Sequence, residues 1–174
     1  MASVSSYFAR LAAITGHQIL MTDQNPNFWV HFASVDELAA LGPTLARELP
    51  EIAPDQIASA TTLDDNTYCQ VFTQSDPVTS TYVAAAAVIP SEHPDLMRLM
   101  CIHEELSQAL GLPNDSNAAR PSIFNDDEEF ALLTRQDELM LRILYNPALH
   151  PGMTEDEARP IVYTLATRLM GGES

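Results

Sequence analysis

The stretch LMRLMCIHEELSQALGLPND, residues 96–115, sets apolar side chains at helical spacing and then stops on a glycine. At 100° per residue, Leu96, Leu99, Met100, His103, Leu106 and Leu110 share one stripe, which Ile102 and Ala109 widen. A stripe that wide predicts a mostly buried helix, with Pro94 and Asp95 suited to its start. His103 falls inside the stripe, where a neutral imidazole bonded to backbone is the expected arrangement. The wheel puts Glu104 and Gln108 on a second face with Met97, Cys101 and Gly111, and turns Glu105 a further step outward. Two polar groups four residues apart can grip one ion or one peptide, or simply bond solvent and a neighbouring loop. Gly111 permits a sharp reversal, after which Asn114 and Asp115 can return toward Glu104 and Gln108.

Upstream, Ser5 or Ser6 can cap a helix running to Gly16, with Tyr7, Phe8, Leu11, Ala12 and Ile14 on its apolar face. QILMT (18–22) and NFWVHFA (27–33) read as strands around a turn at Asn25 and Pro26. His31 sits on the second face of its strand and has no neighbour at metal-ligand spacing. Ser34 and Glu37 form a capping box for a helix reaching Glu48, broken at Gly42 and Pro43. Residues 50–66 read as a connection with a short helical turn, and Tyr68–Thr73 and Thr81–Ile89 as two more strands, making four.

Downstream, NDDEE (125–129) reads as a solvated loop that could join Asp115 around a cation. Thr134 and Asp137 cap a helix that is apolar nearly all round and should pack under the central one. Thr154 and Glu157 open a last helix ending at Gly171 and Gly172, whose Ile161, Leu165 and Leu169 should complete the core.

A length of 174 residues fits one domain, with a helix and strand part over 1–93 and a helical part over 94–174. Such a chain buries about two thirds of its unfolded surface without needing a staple for size. The 24 acidic residues face only 8 basic ones, all Arg, for a net charge of -16. That field repels nucleic acid and anionic lipid and suits a cationic peptide, a basic protein or a divalent cation. No apolar run reaches the length of a membrane span, and MASVSSYFAR has no signal-peptide pattern. Cys69 and Cys101 lack CxxC partners and are either two buried thiols or one bridge. A bridge, the favoured reading, implies an oxidising compartment.

The run EELSQALGLPND, residues 104–115, resembles the metzincin segment H-E-x-x-H-x-x-G-x-x-H/D. The resemblance places Glu104, Gln108 and Asn114 at the three zinc-ligand positions, Glu105 at the general base and Gly111 at the glycine. PSIFN (121–125) falls where metzincins have a methionine turn, and LLTRQDELMLRILY (132–145) is similar to their closing helix. CIHEELSQALGLPNDS, PSIFNDD, ALLT, RILYNP and PGM together closely resemble a bacterial domain-of-unknown-function family met in exported proteins or lipoproteins, over about residues 96–160. The resemblance implies an α+β, zincin-like fold, with a small mixed sheet beside a buried central helix and a helical C-terminal part. It also implies a periplasmic or otherwise extracytoplasmic setting.

Catalytic zinc takes imidazole, thiolate or carboxylate at three positions plus water. One carboxylate and two amides make a poor zinc set and a tolerable calcium one, so no cofactor is expected, zinc least of all. Glu105 would then have no activated water to deprotonate. Cys101 is a poor nucleophile candidate, because His103 points about 160° away around the helix. The expected function is a noncatalytic pseudo-metallopeptidase, an exported binding or scaffold module for a protein or peptide. The alternative is a hydrolase or calcium-type site built on Glu104, Glu105, Gln108 and Asn114, with Asp115 beside them. A third reading has Glu104 or Gln108 merely fastening the PSIFN turn to the helix.

Overall fold

The central run YVAAAAVIP forms a strand whose alanines let helices approach both of its faces. The computed structural model describes residues 2–62, 67–125 and 129–171. Its strands are β1 (Phe28–Ala33), β2 (Gln70–Ser75) and β3 (Tyr82–Pro90), in the order β1-β3-β2. β1 runs parallel to β3, with Phe28 opposite Ala85, and β2 runs antiparallel, with Phe72 opposite Ala86. The result is a mixed α+β arrangement with a small mixed sheet.

Side chains alternate along β3, so Ala87 and Ile89 enter one apolar cluster while Ala86 and Val88 enter another. The first cluster contains helix α1 (Ala2–Thr15), through Val4, Tyr7, Phe8 and Leu11, and helix α5 (Asp95–Gln108), through Cys101, Ile102 and Leu106. The second is covered by α2 (Val35–Ala40), α3 (Gly42–Glu48) and α4 (Pro54–Thr61), through Leu38, Leu45 and Ala60. The Ser34–Glu37 capping box opens α2, and Leu41 separates it from α3. A Cβ on Gly42 would lie 3.0 Å from Ile57 Cγ2, so this glycine lets α3 and α4 close together. The short helix expected within 50–66 is α4, and residues 63–66 of that connection lie outside the described residues.

Three expectations are corrected. QILMT is not a strand, and the sheet has three strands among the described residues. Leu20 and Met21 are exposed, and of these three apolar residues only Ile19 packs on the core; a short apolar run does not make a strand without a ladder partner. Helix α1 begins at Ala2, upstream of the expected cap, and Ser6 Oγ bonds back to the Ser3 carbonyl. The central helix is buried only over its second half; Leu96 stands in solvent while Cys101–Ile102 and Glu105–Gln108 are enclosed.

Helix α6 (Arg135–Leu144) lies on α1 and sends Leu141 into the first cluster. It meets the end of α5 where Tyr145 Oη donates to the Leu110 carbonyl at 2.9 Å. Gly111 turns the chain there at φ +117, and a Cβ would sit 3.2 Å from Leu144 Cδ2. Helix α7 (Glu155–Gly171) starts at the expected Thr154–Glu157 box but contains no buried residue. It leans chiefly on α6, and Ile161, Leu165 and Leu169 stay half-buried and do not complete the core. Gly172 lies outside the described residues.

Candidate functional site

Cys69, just before β2, and Cys101, in the middle of α5, form a disulfide with Cα atoms 5.8 Å apart. The bridge pins the chain leading into β2 against the helix, and it removes Cys101 from consideration as a nucleophile. Glu105 lies one turn beyond Cys101 and Gln108 almost one turn beyond that, so all three point the same way. Cys69 Sγ and one carboxylate oxygen each from Glu104 and Glu105 lie within 4.8 Å of one another.

The structure reverses the expected roles of the two glutamates. Glu104 is half-buried, whereas Glu105, expected to turn outward, is only 4% exposed. A two-faced wheel leaves that side of α5 to solvent, but the Cys69 segment and the chain returning after Gly111 both cover it. Among the described residues no donor bonds to the Glu105 carboxyl, yet neither oxygen is sealed from solvent. Burial chiefly, and then the Glu104 and Asp115 charges, push the Glu105 pKa well above the usual carboxylate range. Gln108 is buried and donates from Nε2 to Asp115 Oδ1 at 3.0 Å. Glu104, Glu105, Gln108 and Asp115 are thus drawn together, while Asn114 is exposed in the returning chain.

On the α1 side of the helix, the His103 ring stacks on Tyr7 with centroids 4.0 Å apart. His103 Nδ1 accepts from the Leu133 N–H at 2.9 Å, which leaves its proton on Nε2. Burial first, and the Arg10 charge second, bring the His103 pKa down to about 4. Tyr7 Oη donates to the His103 carbonyl at 3.0 Å and shares a 2.6 Å bond with Ser107 Oγ. Burial pushes the phenol pKa up. His103 is therefore a core residue with backbone support.

Among the described residues, Asp137 and Asn125 fasten the PSIFN turn. Asp137, fully buried at the start of α6, accepts from Ser122 Oγ at 2.6 Å, Ile123 N at 3.1 Å and Thr134 N at 2.8 Å. Asn125 Nδ2 donates to the carbonyls of Ser116, Asn117 and Ala119. Asn125 is buried, so the acidic segment it opens is not wholly a solvated loop; residues 126–128 lie outside the described residues. Asp137 was legible only as a helix cap. Its position in a capping box ahead of an apolar helix was the available sign of a buried carboxylate. His31, half-buried, pairs with Glu48 Oε2 at 2.7 Å.

Among the described residues no helix is long and apolar enough to cross a membrane. The arrangement is that of an α+β domain whose central helix is disulfide-pinned and lined by carboxylates on its covered side. The chain belongs to the family described as Protein of unknown function (DUF2927), whose model matches residues 1–164. No curated protein and no solved structure matches it.

Proposed function

We propose that residues 1–174 form one noncatalytic, exported binding module, zincin-like in ancestry, whose acidic cluster on α5 takes a cationic side chain from a protein or peptide. The observation that carries this reading is Glu105: a nearly enclosed carboxyl without a donor among the described residues, flanked by Glu104 and Asp115. A guanidinium or ammonium group reaching this cluster would supply that donor and offset the mutual repulsion of the carboxylates. The net charge of -16 would speed the approach of such a partner.

The same features count against a peptidase. A general base must be ionised at the working pH, and burial together with the Glu104 and Asp115 charges raises the Glu105 pKa, which disfavours that form. Of the three positions that would ligate zinc, two carry amides and one of those, Asn114, is exposed. The disulfide supports an oxidising, extracytoplasmic setting.

Fluorescence anisotropy with a labelled triarginine peptide tests the reading on oxidised full-length protein. Saturable binding is expected, with a loss of about tenfold or more in Glu105→Gln and in Asp115→Asn. Equal binding by these variants would reduce the attraction to net charge and sink the proposal. Calcium raising Tm in the native protein, and not in Glu104→Gln, would instead favour the cation-site alternative.

A further inference from the structure

The geometry points to a latent divalent-metal site, opened by reduction of the Cys69–Cys101 disulfide and formed by both thiolates with the Glu104 and Glu105 carboxylates. It goes beyond the peptide-binding reading, which concerns the oxidised protein.

Three of the four ligands share one helix. Glu104 and Glu105 stand three and four residues beyond Cys101, the spacings at which helical side chains meet on one ligand. Cys69 brings the fourth from the segment before β2, where Tyr68, Cys69 and Val71 pack on the same apolar cluster as Cys101. Zinc bonds of about 2.3 Å to sulfur and 2.0 Å to oxygen imply ligand-to-ligand separations of roughly 3.3–3.8 Å in a tetrahedron. The Cys69, Glu104 and Glu105 ligand atoms already lie within 4.8 Å of one another, so a rotation of the half-buried Glu104 side chain closes the set. Sulfurs released from a bridge separate to van der Waals contact, which is close to the S···S edge of that tetrahedron.

The Glu105 carboxyl is a second, separate sign of a ligand. It is nine-tenths buried, accepts no hydrogen bond among the described residues, and faces the bridge and Glu104. Two thiolates with two carboxylates select a borderline-soft ion such as zinc over calcium or magnesium.

The redox step is a two-electron exchange. A dithiol reductant attacks the half-buried Cys69 sulfur, Cys101 leaves as the thiolate, and a second attack frees Cys69 while the reductant closes into its own disulfide. Metal binding then displaces the protons of both thiols.

A cobalt(II) titration of the full chain tests this, before and after reduction with a water-soluble phosphine, which becomes its oxide as the disulfide takes up two electrons and two protons. Reduced protein should give a stoichiometric complex with a thiolate-to-cobalt charge-transfer band and tetrahedral visible bands; oxidised protein should give neither. Glu104→Gln and Glu105→Gln should each weaken binding at least about tenfold, and Cys69→Ser should abolish the charge-transfer signature of the paired thiolates. Absence of the band in reduced protein that circular dichroism shows to be folded overturns the proposal, as does unchanged affinity in the double glutamine variant. If reduction unfolds the chain, recovery of the native spectrum on adding zinc supports the site, and failure to recover it overturns it.

Discussion

Glu105 and His103 stand two residues apart on α5 and carry opposite linkages to pH. The Glu105 pKa is raised in the folded state, so the unfolded chain gains by ionising there, and stability falls as pH climbs through the usual carboxylate range toward the folded value. Glu105→Gln removes that gain. It should stabilise the protein at pH 7 by about 1 kcal/mol, or roughly 2–4 °C in Tm, and flatten the loss on the alkaline side. A lower Tm at pH 7 would show that the carboxyl is ionised and held by a donor. The His103 pKa is lowered to about 4, so the unfolded chain binds the proton first as pH falls below 6.5. Its contribution is complete above about 6.5 and is lost down to about 4, a span worth about 3 kcal/mol. Urea midpoints across that window should fall, and the slope attributable to His103 should shrink in His103→Gln, a variant lower in stability throughout.

At the scale of elements, one buried carboxylate joins the turn after α5 to the start of α6. Asp137 caps its own helix while accepting from Ser122 and Ile123. Asp137→Ala leaves these donors enclosed without partners and should cost about 3 kcal/mol or more, against about 1 kcal/mol for Thr134→Ala at the cap alone. Equal urea midpoints for the two variants would show that the PSIFN turn does not depend on the carboxylate. Helix α7 is the contrasting case. Having no buried residue, it can be removed from residue 155 onward at a cost of at most about 2 kcal/mol, and the shortened chain should unfold in a single transition. A chain that fails to fold would show that its half-buried leucines do more than cover α6.

For the whole molecule, a charge of -16 on a chain without lysine sets a background of self-repulsion. Raising sodium chloride from 0.1 to 1 M shortens the screening length from about 10 to about 3 Å and should raise Tm by several degrees. A flat response would locate the acidic residues too far apart to repel. The same field would make the proposed peptide capture at the α5 carboxylates salt-sensitive, in contrast to metal binding through thiolates, which is short-ranged.

Much of the α+β architecture was legible from local pattern. The period of α5, the capping boxes at Ser34, Thr134 and Thr154, and the alanine-rich strand each specify an element through contacts within a few residues. Long-range partners were less legible, because periodicity says which side chains share a face and not what that face meets. QILMT is a short apolar run like that of a strand and finds no ladder among the described residues, and Ile161, Leu165 and Leu169 align on α7 and meet chiefly α6. The EELSQALGLPND stretch shows both limits together. Its composition alone set amides where zinc chemistry needs imidazole. Only the tertiary structure decided that the neighbouring chain covers Glu105, that Cys69 and Cys101 are joined beside it, and that Asn114 stays in solvent. A carboxyl's chemistry depends on its burial and on the charges around it; here the charges come from Glu104 beside it and Asp115 in the returning chain, while the bridge that ties Cys69 to the helix spans 32 residues of sequence.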